Sequence, residues 1–185
     1  MDRQKIEEAV RLLLEGIGED PNRPGLVRTP TRVAEMYEEI FDQIGKSPEE
    51  EIRLYPSNNE SEMIIHRDIP FYSMCEHHLL PFWGFASIAY IPKHSLVTGF
   101  SSLARVVRLY ANRPQIQETM TTAIADTLMH KLTPMGVFVV IRAQHLCLTM
   151  RGERAHGSWT VTSAVRGVFT REATRMEALH LMDGK

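Results

Sequence analysis

Cys75, Glu76, His77 and His78 stand side by side in FYSMCEHHLLPFWG (71–84), in a chain of 185 residues that has two cysteines. The second, Cys147, lies in AQHLCLTMRG (143–152), two residues after His145. Cys75 and His78 are three apart, so one loop can deliver both to a single ion, and Cys147 would add a third ligand from a distant segment. A set of two cysteines and one histidine has three protein ligands, the count of catalytic zinc sites, which leave the fourth position to water. Soft sulfur with imidazole favours zinc over magnesium or calcium. Glu76 reads as a neighbour of the ligands rather than one of them.

Blander readings stand beside this one. A free cysteine is often a small buried hydrophobe, and His145 beside it could be a core residue, so the second stretch alone leaves the choice open. A Cys75–Cys147 disulfide is disfavoured by the expected compartment. The N-terminus MDRQKIEEAV lacks the apolar segment of a signal peptide. The run VFVVI (137–141) is far too short to span a bilayer. The expectation is a cytoplasmic protein, where thiols stay reduced. Arg32, Arg105 and Arg151 form a second constellation. Each alone reads as a solvated charge, and Arg151 gains interest from lying four residues after Cys147. Glu118, in PQIQETM, is an ordinary helix glutamate unless the fold brings it to a pocket.

The formal net charge is −2 and the isoelectric point is near 6.4, with no basic excess to point to nucleic acid or a membrane surface. With 43% hydrophobic and 24% charged residues the composition is that of a globular domain.

Two kinds of element must position these residues. Ile6, Val10, Leu13 and Ile17, with Ala9, predict an amphipathic helix over 3–17. The connector GEDPNRPGLVR (18–28) breaks it. Thr29 then reads as an N-cap with Pro30 at the first helical position, opening a helix with Val33, Met36, Tyr37, Ile40, Phe41 and Ile44 on one face. Residues 46–61 read as a polar linker, so residues 1–60 are expected to be a helical appendage and 61–185 the catalytic domain. From there the period changes. MIIHRDIPFYS, FASIAYIPK, GVFVVIRAQHLCLTM and SWTVTSAVRGVF are strand-type runs. Helices are expected at 101–113 and 114–132 between the second and third, and a last one at about 171–182. This order predicts an α+β fold, an antiparallel sheet with two helices on one face. On the third strand Val137, Val139, Ile141, Ala143, His145 and Cys147 would share a face.

The segments SMCEHHLLPFWG, IAYIPK, GFSSLARVV, RPQIQE, HLCLTMRG and TVTSAVRGVF, together with RTPTRVAEMY, stand in the order and spacing of one family. The chain resembles GTP cyclohydrolase I over nearly its whole length. The resemblance implies the tunnelling fold, assembled into a homodecamer of two stacked pentameric barrels with active sites between subunits. It implies zinc held by Cys75, His78 and Cys147, proton-handling roles for His77 and His145, and Glu118 on the guanine edge. Arg32, Ser101, Arg105 and Arg151 are implied triphosphate contacts. The implied reaction opens the guanine imidazole ring of GTP. C8 is attacked while His145 protonates N7, formate leaves, and rearrangement of the ribose closes the ring of 7,8-dihydroneopterin triphosphate.

Two departures from the family's usual pattern concern the phosphate end. Ser102, in GFSSLAR, stands where the family has a lysine, and RAHGSWT puts Ala155 and Trp159 in a segment where the family has lysines. Two other readings therefore stand: a purine hydrolase of the same fold acting on a different or less phosphorylated nucleotide, and a non-catalytic zinc-stabilised assembly protein. Intact His77 and His145 argue against the latter. A cytidine-deaminase-type site is disfavoured, because the H-x-E…P-C-x-x-C signature is missing.

Overall fold

The computed structural model describes residues 1–58 and 61–183. The chain divides into two compact units, Met1–Ile44 and Gly45–Lys185.

The first unit is a pair of helices. α1 (Arg3–Gly16) is capped by Asp2, whose carboxylate accepts from the Lys5 backbone N–H at 3.1 Å, a favourable N-cap. α2 (Thr29–Ile40) carries Pro30 in its first turn. Thr29 is the first helical residue rather than the cap, and Arg28 takes the cap position without a side-chain bond. The buried stripe of α1 also differs from the expected one. Leu14 is buried, while Leu13 and Ile17 are 62% and 67% exposed. With α2 as the helix packed against it, α1 needs only a narrow seam, and Ile6, Val10 and Leu14 at i, i+4 and i+8 supply it. Arg3 of α1 donates to Glu35 of α2 at 2.6 Å.

The second unit begins earlier than the expected boundary at residue 60. Residues 46–58 are not a plain linker: they hold a 3-10 turn at Pro48–Glu51 and strand β1 (Leu54–Pro56), which pairs antiparallel with β4 (Leu96–Thr98). The main sheet has the order β5-β2-β3-β6-β7. It is built from β2 (Ile64–Cys75), β3 (Pro81–Ile91), β5 (Pro114–Gln115), β6 (Gly136–His145) and β7 (Thr160–Gly167). All neighbours are antiparallel except the short β5, which runs parallel to the end of β2.

Two helices, α3 (Phe100–Ala111) and α4 (Gln117–Leu132), cover one face. Leu103, Val106 and Val107 of α3 and Met120, Ile124 and Leu128 of α4 meet Phe82, Ile88, Val139 and Ile141 of the sheet in one apolar cluster. The period-two alternation of β3 and β6 selects those sheet residues. The other face carries a smaller cluster in which Ala89, Ile91 and Phe138 pack with Phe169 and with Ala178 of α6 (Glu172–Asp183). The expected α+β fold is thus observed, with the last helix on the opposite side. Among the described residues no helix is long and apolar enough to cross a membrane.

Two departures from the expected elements shape the site. The predicted helix over 114–132 starts late, because Pro114 and Gln115 pair with Met74 and Cys75 instead. This places the first turn of α4 beside the end of β2. The predicted strand through Met150 stops at His145, and Leu146–Thr149 form one helical turn, α5. The reason lies across the sheet. Phe82↔His145 is the last pair of the β3–β6 ladder, and β3 opens at Pro81, which has no N–H to offer a further rung.

Candidate active site

Cys75 ends β2, and residues 76–80 reverse the chain into β3. The Leu79 N–H donates to the Cys75 carbonyl and the Cys75 N–H to the Leu80 carbonyl, both at 2.9 Å. Leu79 adopts φ +51° to make the turn. The tight reversal turns His78 back toward Cys75, so that its Nδ1 lies 3.9 Å from Cys75 Sγ. Cys147, on α5, joins them: one ligand atom from each of Cys75, His78 and Cys147 lies within 4.8 Å of the others. Cys147 reaches the site from a helical turn, not from the strand face the alternation predicted.

These atoms fit a zinc ion. With Zn–S near 2.3 Å and Zn–N near 2.0–2.1 Å, a tetrahedral centre separates sulfur from nitrogen by about 3.6 Å, close to the observed 3.9 Å. Both cysteines are free thiols. Burial pushes the Cys147 thiol above its ordinary range, and the facing Cys75 sulfur adds to the shift. Two sulfurs crowded together in a half-dry site favour a divalent cation, which displaces their protons.

A cavity of about 250 Å³ opens beside these sulfurs, lined among others by His77, Glu118 and His145. Each lining residue arrives by a different device. His77 sits in the β2–β3 turn and Glu118 in the first turn of α4, and His145 is the last residue of β6. The His145 ring stacks on Phe82, with centroids 4.6 Å apart and planes 3° from parallel. Burial holds its pKa below the ordinary histidine range, against an opposing pull from the Glu118 carboxylate. Burial therefore favours the neutral ring.

The chain matches the family model for GTP cyclohydrolase I over residues 6–183. The chain belongs to the GTP cyclohydrolase I family. A protein named GTP cyclohydrolase 1 from Carboxydothermus hydrogenoformans is 57% identical over 98% of this chain and 95% of its own length. One of the same name from Pelotomaculum thermopropionicum is 57% identical over 100% and 98%, and one from Clostridioides difficile is 52% identical over 100% and 98%.

Within the second unit, the phosphate contacts expected from this family resemblance do not line the cavity. Arg151 comes nearest, its Nη1 lying 3.4 Å from His78 Nε2. Ser101 and Arg105 lie on α3 and are not among the lining residues. Arg105 Nε is 2.7 Å from Glu51 Oε2, and its Nη2 donates to Ser102 Oγ at 3.1 Å. Arg32 belongs to α2 in the first unit. Ser102 is only 1% exposed. It is a buried acceptor for Arg105, not a surface position from which a charge has simply been removed. Trp159 is exposed, 6.0 Å from the Arg142 guanidinium.

Among the lining residues not foreseen from sequence, Gln117 stands closest to the chemistry. Gln117, 2% exposed, places its Oε1 2.7 Å from His145 Nε2. The nearest signal was its place directly before Glu118, but a buried glutamine is recognisable only once β6 and β7 are seen to pass beside it.

Proposed function

We propose that this chain is a zinc-dependent GTP cyclohydrolase I, a hydrolase that opens the guanine imidazole ring of GTP, releases formate and forms 7,8-dihydroneopterin triphosphate. The observation that carries the reading is the convergence of Cys75, His78 and Cys147 at the edge of a cavity whose lining includes His77, Glu118 and His145. Relatives at 52–57% identity that bear the name GTP cyclohydrolase 1 support GTP as the nucleotide.

In this reading Cys75, His78 and Cys147 hold the zinc. Bound there, the ion would act as a Lewis acid and bring the pKa of water to about 7. Glu118 presents two carboxylate oxygens, which match the N1–H and 2-amino donors on the guanine edge. With the purine so held, the bare nitrogen of the His145 ring takes a proton from the water that adds at C8 and passes it to N7 as the C8–N bond opens. His77, on the turn, moves protons in the later ring closure. Arg151 receives the triphosphate on the side of His78.

Arg32, Ser101 and Arg105 complete the phosphate end from a neighbouring copy in a homodecamer, and for Ser101 and Arg105 this accounts for their absence from the cavity lining of their own chain. The protein works in the cytoplasm, where the two ligand thiols stay reduced.

The test separates metal from proton transfer. Cys147→Ser is expected to lose both zinc and formate release. His145→Ala is expected to keep about one zinc per chain and to lose ring opening. Full turnover by His145→Ala would refute its role.

A further inference from the structure

Gln117 is nearly inaccessible, and both ends of its side-chain amide are engaged by polar partners. Its Nε2 reaches three acceptors: the Ile141 carbonyl at 3.1 Å, the Thr160 carbonyl at 3.2 Å and Thr162 Oγ1 at 3.0 Å. Backbone carbonyls only accept, so the amide nitrogen must face them. The orientation of the side chain is thereby determined by its partners rather than by a choice between look-alike atoms. A further pair of hydroxyls closes the clamp. Thr121 Oγ1 donates to the Gln117 carbonyl at 2.7 Å. Thr162 Oγ1 is then free to donate to Thr121 Oγ1 at 2.7 Å while accepting from the amide.

With Nε2 spoken for, Gln117 Oε1 faces His145 Nε2 at 2.7 Å. An amide oxygen has only lone pairs to offer, so a hydrogen bond of that length requires the proton on the imidazole Nε2. Phe82 covers one face of the ring. The edge bearing Nδ1 is what remains for exchange with a substrate.

We infer that Gln117 is a positioning residue for His145, its clamped amide holding the ring as the Nε2–H tautomer and leaving Nδ1 as the nitrogen that handles the proton. The inference deepens the proposed function, since it takes His145 as the proton carrier. The tautomer itself does not depend on that reading. The logic is that of any catalytic imidazole whose second nitrogen is fixed by a neighbour: orientation and tautomer are set before substrate arrives.

The experiment uses the zinc-loaded protein labelled with ¹⁵N and ¹³C in histidine, observed by magic-angle-spinning NMR, with the His145 signals assigned by their loss in His145→Ala. The wild type is expected to show His145 protonated at Nε2 and bare at Nδ1 at neutral pH. The opposite tautomer would overturn the inference without any variant at position 117. In Gln117→Met with zinc content retained, kcat is expected to fall on the order of 100-fold, with KM for GTP changed less than about threefold, the scale seen when a partner that orients a functional imidazole is lost. The Nε2–H preference should be lost in the same sample. An unchanged kcat, or a loss of kcat with the tautomer intact, would each show that Gln117 serves packing alone. If Gln117→Met does not fold, the wild-type spectrum decides. A wild type that shows the expected tautomer but opens no guanine nucleotide leaves the positioning intact and refutes the proposed function.

Discussion

Gly84 tests the link between sheet packing and the site. It pairs with Ala143, two rungs from the Phe82↔His145 pair that ends the ladder. A Cβ at Gly84 would overlap the Arg142 carbonyl oxygen and come within 2.7 Å of the Ala143 Cα. Both are backbone atoms, so no side chain can swing away and the two strands must part. Parting them by about an ångström over the neighbouring rungs weakens two or three ladder hydrogen bonds, each worth about 1 kcal/mol net. Overpacking strain adds about 1–3 kcal/mol. Gly84→Ala should therefore cost about 3–6 kcal/mol, which at about 2–4 °C per kcal/mol lowers the melting temperature by about 6–24 °C. The control is Gly16→Ala, at the end of α1, where an added Cβ meets nothing within 4 Å. That change should be neutral or stabilise by up to about 1 kcal/mol. Calorimetry on the zinc-loaded protein reads both, and formate release reads the displacement of His145. Equal melting temperatures for Gly84→Ala and wild type would refute the reasoning.

Three further outcomes are expected. Because burial raises the Cys147 thiol, metal uptake must displace at least one proton, so the apparent zinc affinity should rise with pH through the neutral range; a flat profile in a competition titration with a chelator contradicts this. Ser102→Lys should destabilise by about 1–3 kcal/mol, since it overpacks a buried position and sets an ammonium beside Arg105, and part of that loss should fade as salt rises; a higher melting temperature would contradict it. Mixing Arg105→Ala chains with His145→Ala chains, each inactive, should restore some ring opening if the phosphate end comes from a neighbour, whereas a fully active monomer in sedimentation would exclude it.

How far the sequence foretold this structure depended on the range of the interactions involved. Strand faces were legible because they rest on local alternation: Val137, Val139, Ile141 and Ala143 face the α3–α4 cluster as expected. The helical spacing of Leu103, Val106 and Val107 was equally local. The grouping of Cys75, His78 and Cys147 was legible from residue type, and the fold brings one atom of each within 4.8 Å of the others. Features decided by distant chain were not. Cys147 leaves the strand because β3 starts at Pro81, and Gln117 and Glu118 reach the cavity because Pro114 and Gln115 pair with the end of β2. The burial of Ser102 under Arg105 needed the fold, as did the choice of Leu14 over Leu13 in α1, which follows from the narrow seam with α2.

The most direct measurement is the stoichiometry of the reaction itself. Purified zinc-loaded protein is incubated with GTP, formate is quantified enzymatically, and the pterin product is followed by fluorescence after oxidation. Formate and 7,8-dihydroneopterin triphosphate are expected in a ratio of about one, as required when C8 is the atom lost and the remaining ring closes, with both abolished in Cys147→Ser, the loss expected when a ligand of a catalytic zinc is removed. Zinc-replete wild type that releases no formate from GTP, while its three ligands and His145 stand as described, would contradict the proposed function.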